Sequence, residues 1–419
     1  MATTQLRIRL HTQSEDLKLP SDHGPVVVST SLARYQLSIL VNKLLQTEKP
    51  IPFEFLIQSQ FLRTSLGEFL AKNGIANESV LNVEYVRALA PPLYVASYEH
   101  EDWVSAVDAQ DERVLSGSYD GLVRVWNEVN EIVAMGEGHL GPVKAARFAE
   151  GCVVSGGMDR TVRVWAKGLR PVMELYGHHG PVESVAVRGS KVLSASADGR
   201  VGVWSTSSTA LPEASDELVP VANKRRRLSV AENQKGPLDM LEGHHAQVSD
   251  VCFDEGDPTV AYSTSWDHCV KTWDLTTGMC VDTRSTAQSL LSICHLQEQS
   301  LLAVGTVNRH ITLVDPRTSA TNVSVMTLRG HTNVVVSLDR APDSATQLIS
   351  ASHDGTCRIW DLRSIHNDAA EKVSESVYVI HRKSAEGKKT TKVFDVCWDK
   401  QLGVLSAGED KCIQVNRPG

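Results

Sequence analysis

The sequence predicts a mainly β protein of 419 residues, in which a small α+β domain precedes a closed ring of seven four-stranded sheets. Two observations predict this fold. One motif recurs seven times from about residue 102 to the C-terminus, and the first 90 residues lack it. The copies end at a tryptophan or its equivalent position, namely Trp126, Trp165, Trp204, Trp273, Val314, Trp360 and Asn416. The first three are 39 residues apart, which is the length of one β-propeller blade.

Six of the seven copies also carry polar residues at fixed positions. An aspartate stands six residues before the tryptophan position, in a predicted turn where a carboxylate can accept N–H groups. These aspartates are Asp120, Asp159, Asp198, Asp267, Asp354 and Asp410, and the serines four residues earlier are Ser116, Ser155, Ser194, Ser263, Ser350 and Ser406. Four copies follow a Gly-His pair, at His139, His178, His244 and His331.

In these residues the chain resembles the WD-repeat family, whose blades hold a buried hydrogen-bonded set of His, Ser, Asp and Trp. The resemblance implies two full sets: His178, Ser194, Asp198 and Trp204, and His331, Ser350, Asp354 and Trp360. A Ser–His–Asp group can serve hydrolysis, but its recurrence in blade after blade indicates a scaffold. We therefore predict that the protein is not an enzyme and uses no cofactor.

The first 90 residues have their own pattern. Strands are predicted at 6–10, 25–28, 53–58 and 80–86 from alternating or continuous apolar residues, with an amphipathic helix over 32–46. A second helix is predicted from Thr64 or Ser65 to Lys72, and Asn73-Gly74 ends it. The order β-β-α-β-α-β is that of a ubiquitin-like β-grasp domain. Pro91-Pro92 marks its end, which gives domains 1–90 and 93–419.

The two ends of the propeller are predicted to meet in one blade. The last copy stops at Asn416, just after its third strand, so its blade lacks a fourth. The segment 93–98 lies before the first copy and can supply that strand. Such closure hides two sheet edges that would otherwise be open to aggregation.

Composition restricts the class of protein. No apolar run approaches the roughly 20 residues of a membrane helix, and the N-terminus lacks a secretory signal, so no membrane association is predicted. Eight cysteines without a CxxC pair indicate free thiols in a reducing compartment and no metal site of the protein's own. The net charge of −8 argues against nucleic acid as the main source of binding affinity. Direct contact with rRNA through a local patch stays open.

Two stretches break the blade period and are predicted to be insertion loops, at about 205–240 and 364–392. The first is rich in Ser, Pro and charge, and is predicted to be mobile. Its basic tract resembles a nuclear-import signal, and Ser229 follows it within a basophilic kinase motif; the tract is Lys224, Arg225, Arg226 and Arg227. The second contains four lysines that are consistent either with rRNA contact or with a surface loop: Lys383, Lys388, Lys389 and Lys392.

One face of the propeller is predicted to bind a partner. The residue before each turn aspartate should lie on the face that displays the inter-strand turns: Tyr119, Met158, Ala197, Trp266, Val307, His353 and Glu409. Tyr119, Met158, Trp266 and His353 are the strongest interface candidates, since large side chains dominate interface energies. The alternative is that these side chains lie flat on neighbouring blades.

A more specific resemblance comes from three segments: RTSLGEFLAKNGI (63–75), ESVLNVEYVRALAPP (78–92) and HEDWVSAV (100–107). They resemble a Notchless-type N-terminal domain followed by a propeller. Among proteins with that domain, the chain is most similar to the WD-repeat subunits of the Pescadillo–Bop–WD-repeat complex. The resemblance implies assembly of the large ribosomal subunit in the nucleus, in both nucleolus and nucleoplasm. It also implies a Bop-type WD-repeat protein, a Pescadillo-type protein and the pre-60S particle as partners.

The resemblance further implies a mechanism for the N-terminal domain. Family members dock on midasin, a giant AAA+ ATPase, and a loop carboxylate completes the coordination of a metal in midasin's adhesion site. A hard cation such as Mg²⁺ takes oxygen ligands in octahedral geometry. The matching position is Glu78, so Mg²⁺ would be contacted in trans. A solvated loop charge is the alternative role for Glu78, with Glu84 or Glu48 as weaker candidates for the ligand.

A second function, from a different class, competes with this one. Trp360-Asp361-Leu362-Arg363 resembles the WDxR box by which some propellers dock on cullin-4 adaptors, and Asp315-Pro316-Arg317 partly repeats it. This would make the protein a substrate receptor of a ubiquitin ligase. The box arises easily by chance, because Trp-Asp is itself a blade signature.

Overall fold

The computed structural model describes residues 5–19, 24–76, 80–215, 217–219, 233–318, 324–364, 366–368, 371–382 and 391–418. The chain forms two compact units, Met1–Pro91 with Leu362–Lys372, and Pro92–Asp361 with Val373–Gly419. The predicted fold class is confirmed: the first unit holds a β-grasp domain and the second a β-propeller.

The N-terminal domain packs two helices against one sheet. In chain order the elements are β1 (Gln5–His11), β2 (Val26–Ser29), α1 (Arg34–Leu45), β3 (Phe53–Ile57), β4 (Gln60–Phe61), α2 (Leu66–Lys72) and β5 (Leu81–Arg87), with a 3₁₀ turn at Glu15–Leu17. The strand order is β2-β1-β5-β3-β4, and the central pair β1 and β5 is parallel. That central parallel pair, formed by the first and last strands of the domain, is the β-grasp arrangement.

Local sequence explains these elements. In β1, Leu6 and Ile8 are buried, while the alternating residues Gln5, Arg7 and Arg9 are exposed, as a half-buried strand requires. The start of α2 is set by Ser65, whose Oγ accepts a hydrogen bond from the Glu68 backbone N–H at 3.4 Å. The Glu68 carboxylate accepts in return from the Ser65 N–H, which completes a capping box. Gly74, at φ +66°, then turns the chain away.

In the described part of the chain, the propeller has seven blades of four antiparallel strands each. The strands of each blade are given from the inner to the outer one. Blade 1 consists of Val104–Gln110, Arg113–Ser118, Leu122–Trp126 and Ile132–Glu137, and blade 2 consists of Val143–Ala149, Cys152–Gly157, Val162–Ala166 and Pro171–Leu175. Blade 3 consists of Val182–Arg188, Lys191–Ser196, Arg200–Ser205 and Asp239–Glu242. Blade 4 consists of Val248–Phe253, Val260–Ser265, Cys269–Asp274 and Met279–Ser285. Blade 5 consists of Leu290–Leu296, Leu301–Thr306, His310–Val314 and Ser324–Arg329. Blade 6 consists of Val335–Arg340, Gln347–Ser352, Thr356–Asp361 and Tyr378–His381. Blade 7 consists of Val393–Asp399, Gly403–Gly408, Cys412–Pro418 and Pro92–Glu99.

Blade 7 closes the ring as predicted. Its outer strand Pro92–Glu99 comes from the start of the propeller and pairs antiparallel with Cys412–Pro418 at the end of the chain. Tyr98, only 1% exposed, lies opposite Ile413 and stacks on Trp126 of blade 1 with 5.6 Å between ring centroids. The chain ends are therefore held by both a strand ladder and core packing.

Side-chain carboxylates join the inner strands of successive blades. The Asp395 side chain of blade 7 accepts the Val107 backbone N–H of blade 1 at 2.9 Å. Asp339 accepts in the same way from Trp398 at 2.7 Å, between blades 6 and 7. Burial raises the pKa of Asp339 to about 6, although these backbone hydrogen bonds oppose the shift.

The first insertion departs from the predicted loop at its described C-terminal end. Asn233–Lys235 forms a fifth strand on blade 2, parallel to Pro171–Leu175. The Lys235 Nζ lies 2.5 Å from the Glu213 carboxylate, and Gly236 N–H donates to the Pro212 carbonyl at 2.8 Å. A loop over all of 205–240 is therefore wrong at these residues, because the outer strand of blade 2 supplies an edge to which they pair.

The second insertion is also partly ordered as strand. Tyr378–His381 is the outer strand of blade 6, so 364–392 is not wholly an insertion. Two short strands precede it, His366–Asp368 and Glu371–Ser374, and the second pairs in parallel with Ser324–Arg329 of blade 5. The prediction of an uninterrupted loop is wrong here for the same physical reason.

Candidate functional site

The polar sets predicted in blades 3 and 6 are present. In blade 3 the Trp204 Nε1–H donates to Ser194 Oγ at 2.8 Å, and Ser194 Oγ lies 2.7 Å from His178 Nε2. The other ring nitrogen, Nδ1, lies 3.0 Å from the Asp198 carboxylate. Blade 6 repeats this chain of bonds with distances of 2.8, 2.7 and 2.8 Å through Trp360, Ser350, His331 and Asp354.

The chain of bonds has one consistent direction. The carboxylate only accepts, so the imidazole donates from Nδ1 and accepts the serine O–H at Nε2, while the serine oxygen accepts from tryptophan. Burial raises the pKa of Asp198, but the hydrogen bonds that its carboxylate accepts from His178 and from the His179 backbone outweigh burial and lower the pKa to about 2. Both Ser194 and Ser350 are fully buried, so no substrate can reach either hydroxyl. These sets stabilise the blades.

Blades 2 and 4 carry the same set, through His139 and His244. Blade 1 uses His100, which was missed because no glycine precedes it; its Nε2 lies 2.9 Å from Ser116 Oγ. There Asp120 pairs instead with Arg124, at 2.7 Å. Blade 5 has Asn308 and Val314 in place of the aspartate and tryptophan, which explains its degraded motif.

Blade 7 replaces histidine with arginine. The Arg382 guanidinium donates to both carboxylate oxygens of Asp410, at 2.9 and 2.7 Å, and to Ser406 Oγ at 2.9 Å. Arg382 is buried, so this fork holds the turn that a histidine holds elsewhere. The sequence signal was hidden because Arg382 lies eleven residues before the inner strand that begins at Val393.

The predicted interface residues occupy one propeller face, which we call the top face and define by the turns between the second and third strands of each blade. Trp266 is 49% exposed and Met158 45% exposed, and Val307 is exposed as well. Tyr119 and His353 are half-buried. Both alternatives drawn from the sequence thus occur, with some side chains projecting and others packed.

The packed residues belong to an aromatic cluster, which consists of Trp103, Tyr119, His353 and Phe394. Ring centroids are 5.4 Å apart for Trp103 and Tyr119, and 5.9 Å apart for Trp103 and Phe394. His353 meets Phe394 edge to face at 5.7 Å. The cluster joins blades 1, 6 and 7 and makes a rigid apolar platform, because each ring is held by another.

The platform borders a cavity of about 300 Å³ that forms the mouth of the central channel. Its rim is formed by the second residue of every inner strand: Ser105, Lys144, Glu183, Ser249, Leu291, Val336 and Phe394. Lys144 Nζ lies 3.4 Å from the Glu183 carboxylate and 5.7 Å from the Tyr119 ring centroid. Sequence reasoning missed this rim, although in five blades the rim residue stands five positions after the histidine of the polar set.

Several predicted site residues lie outside the described part of the chain: Glu78, the tract Lys224, Arg225, Arg226 and Arg227, Ser229, and Lys383, Lys388 and Lys389. Ala76 and Val80, the nearest described residues on either side of Glu78, are both exposed. Glu84 lies in β5, opposite His11 and Leu56, and one of its carboxylate oxygens is buried without a hydrogen-bond partner. Glu48 is exposed just after α1.

The described residues contain no metal site and no disulfide. Among them, no group of three His, Cys, Asp or Glu side chains is placed to hold a metal ion. All eight cysteines are free thiols, as predicted; Cys357 is buried and the rest are half-buried. No helix in the described ranges is long and apolar enough to cross a membrane.

The fold and its polar sets define the class: a WD-repeat propeller preceded by a β-grasp domain. The NLE (NUC135) domain family matches residues 6–70, and the WD domain, G-beta repeat family matches 93–127, 130–166, 169–205, 235–274 and 322–361. The propeller also resembles the WD40 propeller domain of Doa1, with a TM-score of 0.61 and 19% identity over 78% of this chain and 96% of that one. That likeness supports the fold alone.

Relatives of known name are similar along the whole chain. Ribosome biogenesis protein YTM1 of Coccidioides immitis is 55% identical, covering 99% of this chain and 95% of the relative. The protein of the same name from Emericella nidulans is 50% identical, covering 99% and 96%. The chain belongs to the YTM1 family of ribosome biogenesis proteins, and the resemblance inferred from the sequence is confirmed.

The ubiquitin-ligase alternative has no support in these similarities. The structure also places Trp360 and Asp361 in the third strand of blade 6, where both are buried. The Asp361 carboxylate accepts from Gln347 Nε2 at 3.2 Å. A docking box would need these side chains to be accessible, and here they stabilise the blade.

Proposed function

We propose that this protein is a non-enzymatic scaffold in assembly of the large ribosomal subunit. The observation that carries the proposal is similarity over 99% of the chain to relatives named ribosome biogenesis proteins. By its resemblance to the WD-repeat subunits of the Pescadillo–Bop–WD-repeat complex, it would join a Bop-type and a Pescadillo-type protein on the pre-60S particle. It would act in the nucleolus and nucleoplasm, imported through the tract 224–227. Normal nucleolar accumulation of a variant with alanine at all four positions would make that import route wrong.

The top face is the surface we assign to the Bop-type partner. Trp266 is half exposed although it is not a repeat-position tryptophan, and the aromatic cluster and channel rim adjoin it around one cavity. Large aromatic side chains on a rigid base supply much of the energy of protein interfaces. The Lys144–Glu183 pair gives the same surface a polar element that can fix the orientation of the partner.

The N-terminal domain is assigned to the ATPase midasin, with Glu78 as the contact. Glu78 lies in the sequence between α2 and β5, and the nearest described residues, Ala76 and Val80, are exposed, which supports an accessible carboxylate at this position. A carboxylate there can supply one anionic oxygen to Mg²⁺ of the partner's adhesion site. Glu84 is less suited, because strand pairing on both sides fixes its direction.

The two assignments make separable predictions in the full-length protein. Glu78→Ala and Glu78→Gln should abolish metal-dependent binding to the isolated adhesion domain of midasin, while the stability changes by no more than about 0.5 kcal/mol. Glu78→Asp should recover little, because the shortened side chain misplaces the oxygen. Trp266→Ala should weaken binding of the Bop-type partner by about 2 kcal/mol or more and leave midasin binding intact. Calorimetric titration with and without Mg²⁺ measures both.

Matched controls make the test decisive. Glu48→Ala removes an exposed carboxylate of the same domain, and Met279→Ala removes an exposed side chain of the same blade as Trp266. Neither should change binding. Equal, metal-dependent binding by wild type and Glu78→Ala would refute the Glu78 assignment and leave Glu84 and Glu48 as candidates. An unchanged affinity of Trp266→Ala for the Bop-type partner would refute the assignment of the top face to that partner.

A further inference from the structure

The protein covers the outer edge of two blades with its own chain. The outer strand of blade 2 is paired by Asn233–Lys235, and that of blade 5 by Glu371–Ser374, both in parallel. An outer strand presents a row of backbone N–H and C=O groups that an added strand can satisfy. In blade 2, Asn233–Lys235 pairs in register with Met173, Glu174 and Leu175 of the outer strand. Added fifth strands are thus part of how this propeller is built.

Blade 1 carries an outer strand of the same kind without a cover. Within the described residues, its sheet ends at Ile132–Glu137. Ile132, Val133 and Met135 are 49%, 54% and 48% exposed, so three large apolar side chains lie in or beside the open edge. A sheet edge that is both apolar and unpaired is a template for another strand.

The apolar surface continues onto the neighbouring blade. The outer strand Pro92–Glu99 of blade 7 exposes Leu93, Tyr94 and Val95. The two blades are tied here by Asn130, whose Nδ2 donates to the Ser97 carbonyl at 3.2 Å. Exposed apolar side chains therefore occur on the outer strands of two blades that this hydrogen bond joins.

The surroundings of this edge are acidic. Four exposed glutamates lie on the strand or on the turns beside it: Glu112, Glu128, Glu131 and Glu137. A hydrogen bond and the charge from Glu128 raise the pKa of Glu112, and the charge of Arg417 opposes this shift without cancelling it. A second copy of this chain would bring the same negative charges to the interface and be repelled. A segment that carries Lys and Arg would be attracted.

We infer that Ile132–Glu137 is a docking edge, to which an extended basic segment of a partner protein adds as a fifth strand of blade 1. Alternate side chains of an added strand face opposite sides. One row would pack on Ile132, Val133 and Met135, and basic residues would reach the glutamates. Main-chain hydrogen bonds supply affinity in such strand addition, and side chains supply the selection. This surface is distinct from the top face and from Glu78.

The outer strand of blade 4 provides the comparison. It also exposes apolar side chains, Met279 and Val281. However, it lacks a glutamate cluster: Arg284 of this strand is buried, and its Nε lies 2.8 Å from the Asp282 carboxylate of the same strand, so these charges offset each other. An extended basic segment should therefore prefer blade 1.

The test uses the full-length protein and a fluorescein-labelled decapeptide of alternating valine and lysine. Fluorescence anisotropy should show saturable binding that weakens by at least about tenfold for Met135→Glu and for Glu131→Lys combined with Glu137→Lys. Met279→Glu, the matched change on blade 4, should bind like wild type. Two further peptides complete the design: one with glutamate replacing lysine, and one N-methylated at two adjacent central residues so that neither of its edges can pair. Both should bind at least about tenfold more weakly than the first.

Each other outcome overturns the inference. Equal binding of the N-methylated peptide would mean that charge alone holds the peptide and no strand is added. Equal loss with Met279→Glu would remove the preference for blade 1. Self-association in sedimentation velocity that Met135→Glu abolishes would assign the edge to a second copy. Because the readout is the valine–lysine peptide, failure of the midasin or Bop-type experiments leaves this result unaffected.

Discussion

Replacing Ser194 with alanine tests whether the buried polar sets stabilise the blades. Ser194 Oγ accepts from Trp204 Nε1 at 2.8 Å and donates to His178 Nε2 at 2.7 Å. Alanine removes both bonds and adds no new partner. The indole N–H and the imidazole Nε2 are then left unpaired inside blade 3, where water cannot reach them.

The expected cost follows from these two groups. A buried donor or acceptor left without a partner costs about 1–3 kcal/mol, so the variant should lose about 3 kcal/mol of unfolding free energy. For a propeller of this size that corresponds to a fall of about 4 °C in the unfolding midpoint.

The assay can be confined to the propeller. All eight tryptophans lie between Trp103 and Trp398, so tryptophan fluorescence during thermal or guanidinium unfolding does not report on the N-terminal domain. Ser292→Ala in blade 5 is the matched control. Ser292 is also buried, but its Oγ has no hydrogen-bond partner, so its loss should be neutral or stabilising. Equal destabilisation by the two variants would refute the reasoning, because cost would then follow burial and not the hydrogen bonds.

Two other predictions concern pH and ring closure. Because the folded-state pKa of Asp339 is raised to about 6, above the ordinary carboxyl value of about 4, the folded state binds this proton more tightly. This carboxyl should therefore make the propeller more stable as pH falls from about 7 to 4, and Asp339→Asn should flatten that part of the midpoint-versus-pH curve. Asp198, with its pKa lowered to about 2, should act oppositely: its stabilisation is complete above about pH 4 and is lost as pH falls towards 2. An unchanged profile in Asp339→Asn would contradict the assignment. For closure, Tyr98→Ala should cost about 3–5 kcal/mol in the same fluorescence assay, because Tyr98 is 1% exposed and stacks on Trp126. Tyr94→Ala, on the same strand but 39% exposed, should change stability by about 0.5 kcal/mol or less; equal effects would mean that closure does not depend on core packing.

The sequence predicts features whose cause is local. The 39-residue spacing fixes the blades, since every blade buries the same face with the same short strands. The sets through His178 and His331 are legible because their members stand at constant separations within one blade. Even the closure is predictable, because a final blade one strand short requires a strand from elsewhere, and the segment 93–98 is apolar and otherwise unassigned.

Tertiary structure decided the features that depend on what a segment meets. Residues 233–235 carry no strand pattern, yet they form a strand because blade 2 offers them an open edge. Arg382 takes the place of a histidine because its fork reaches Ser406 and Asp410 at once, whatever its distance along the chain. The aromatic cluster arises where blades 6, 7 and 1 converge, a neighbourhood that exists only once the ring has closed. Periodicity in a sequence reports which face of an element is buried, whereas edges, forks and channel rims depend on contacts between residues that are distant along the chain.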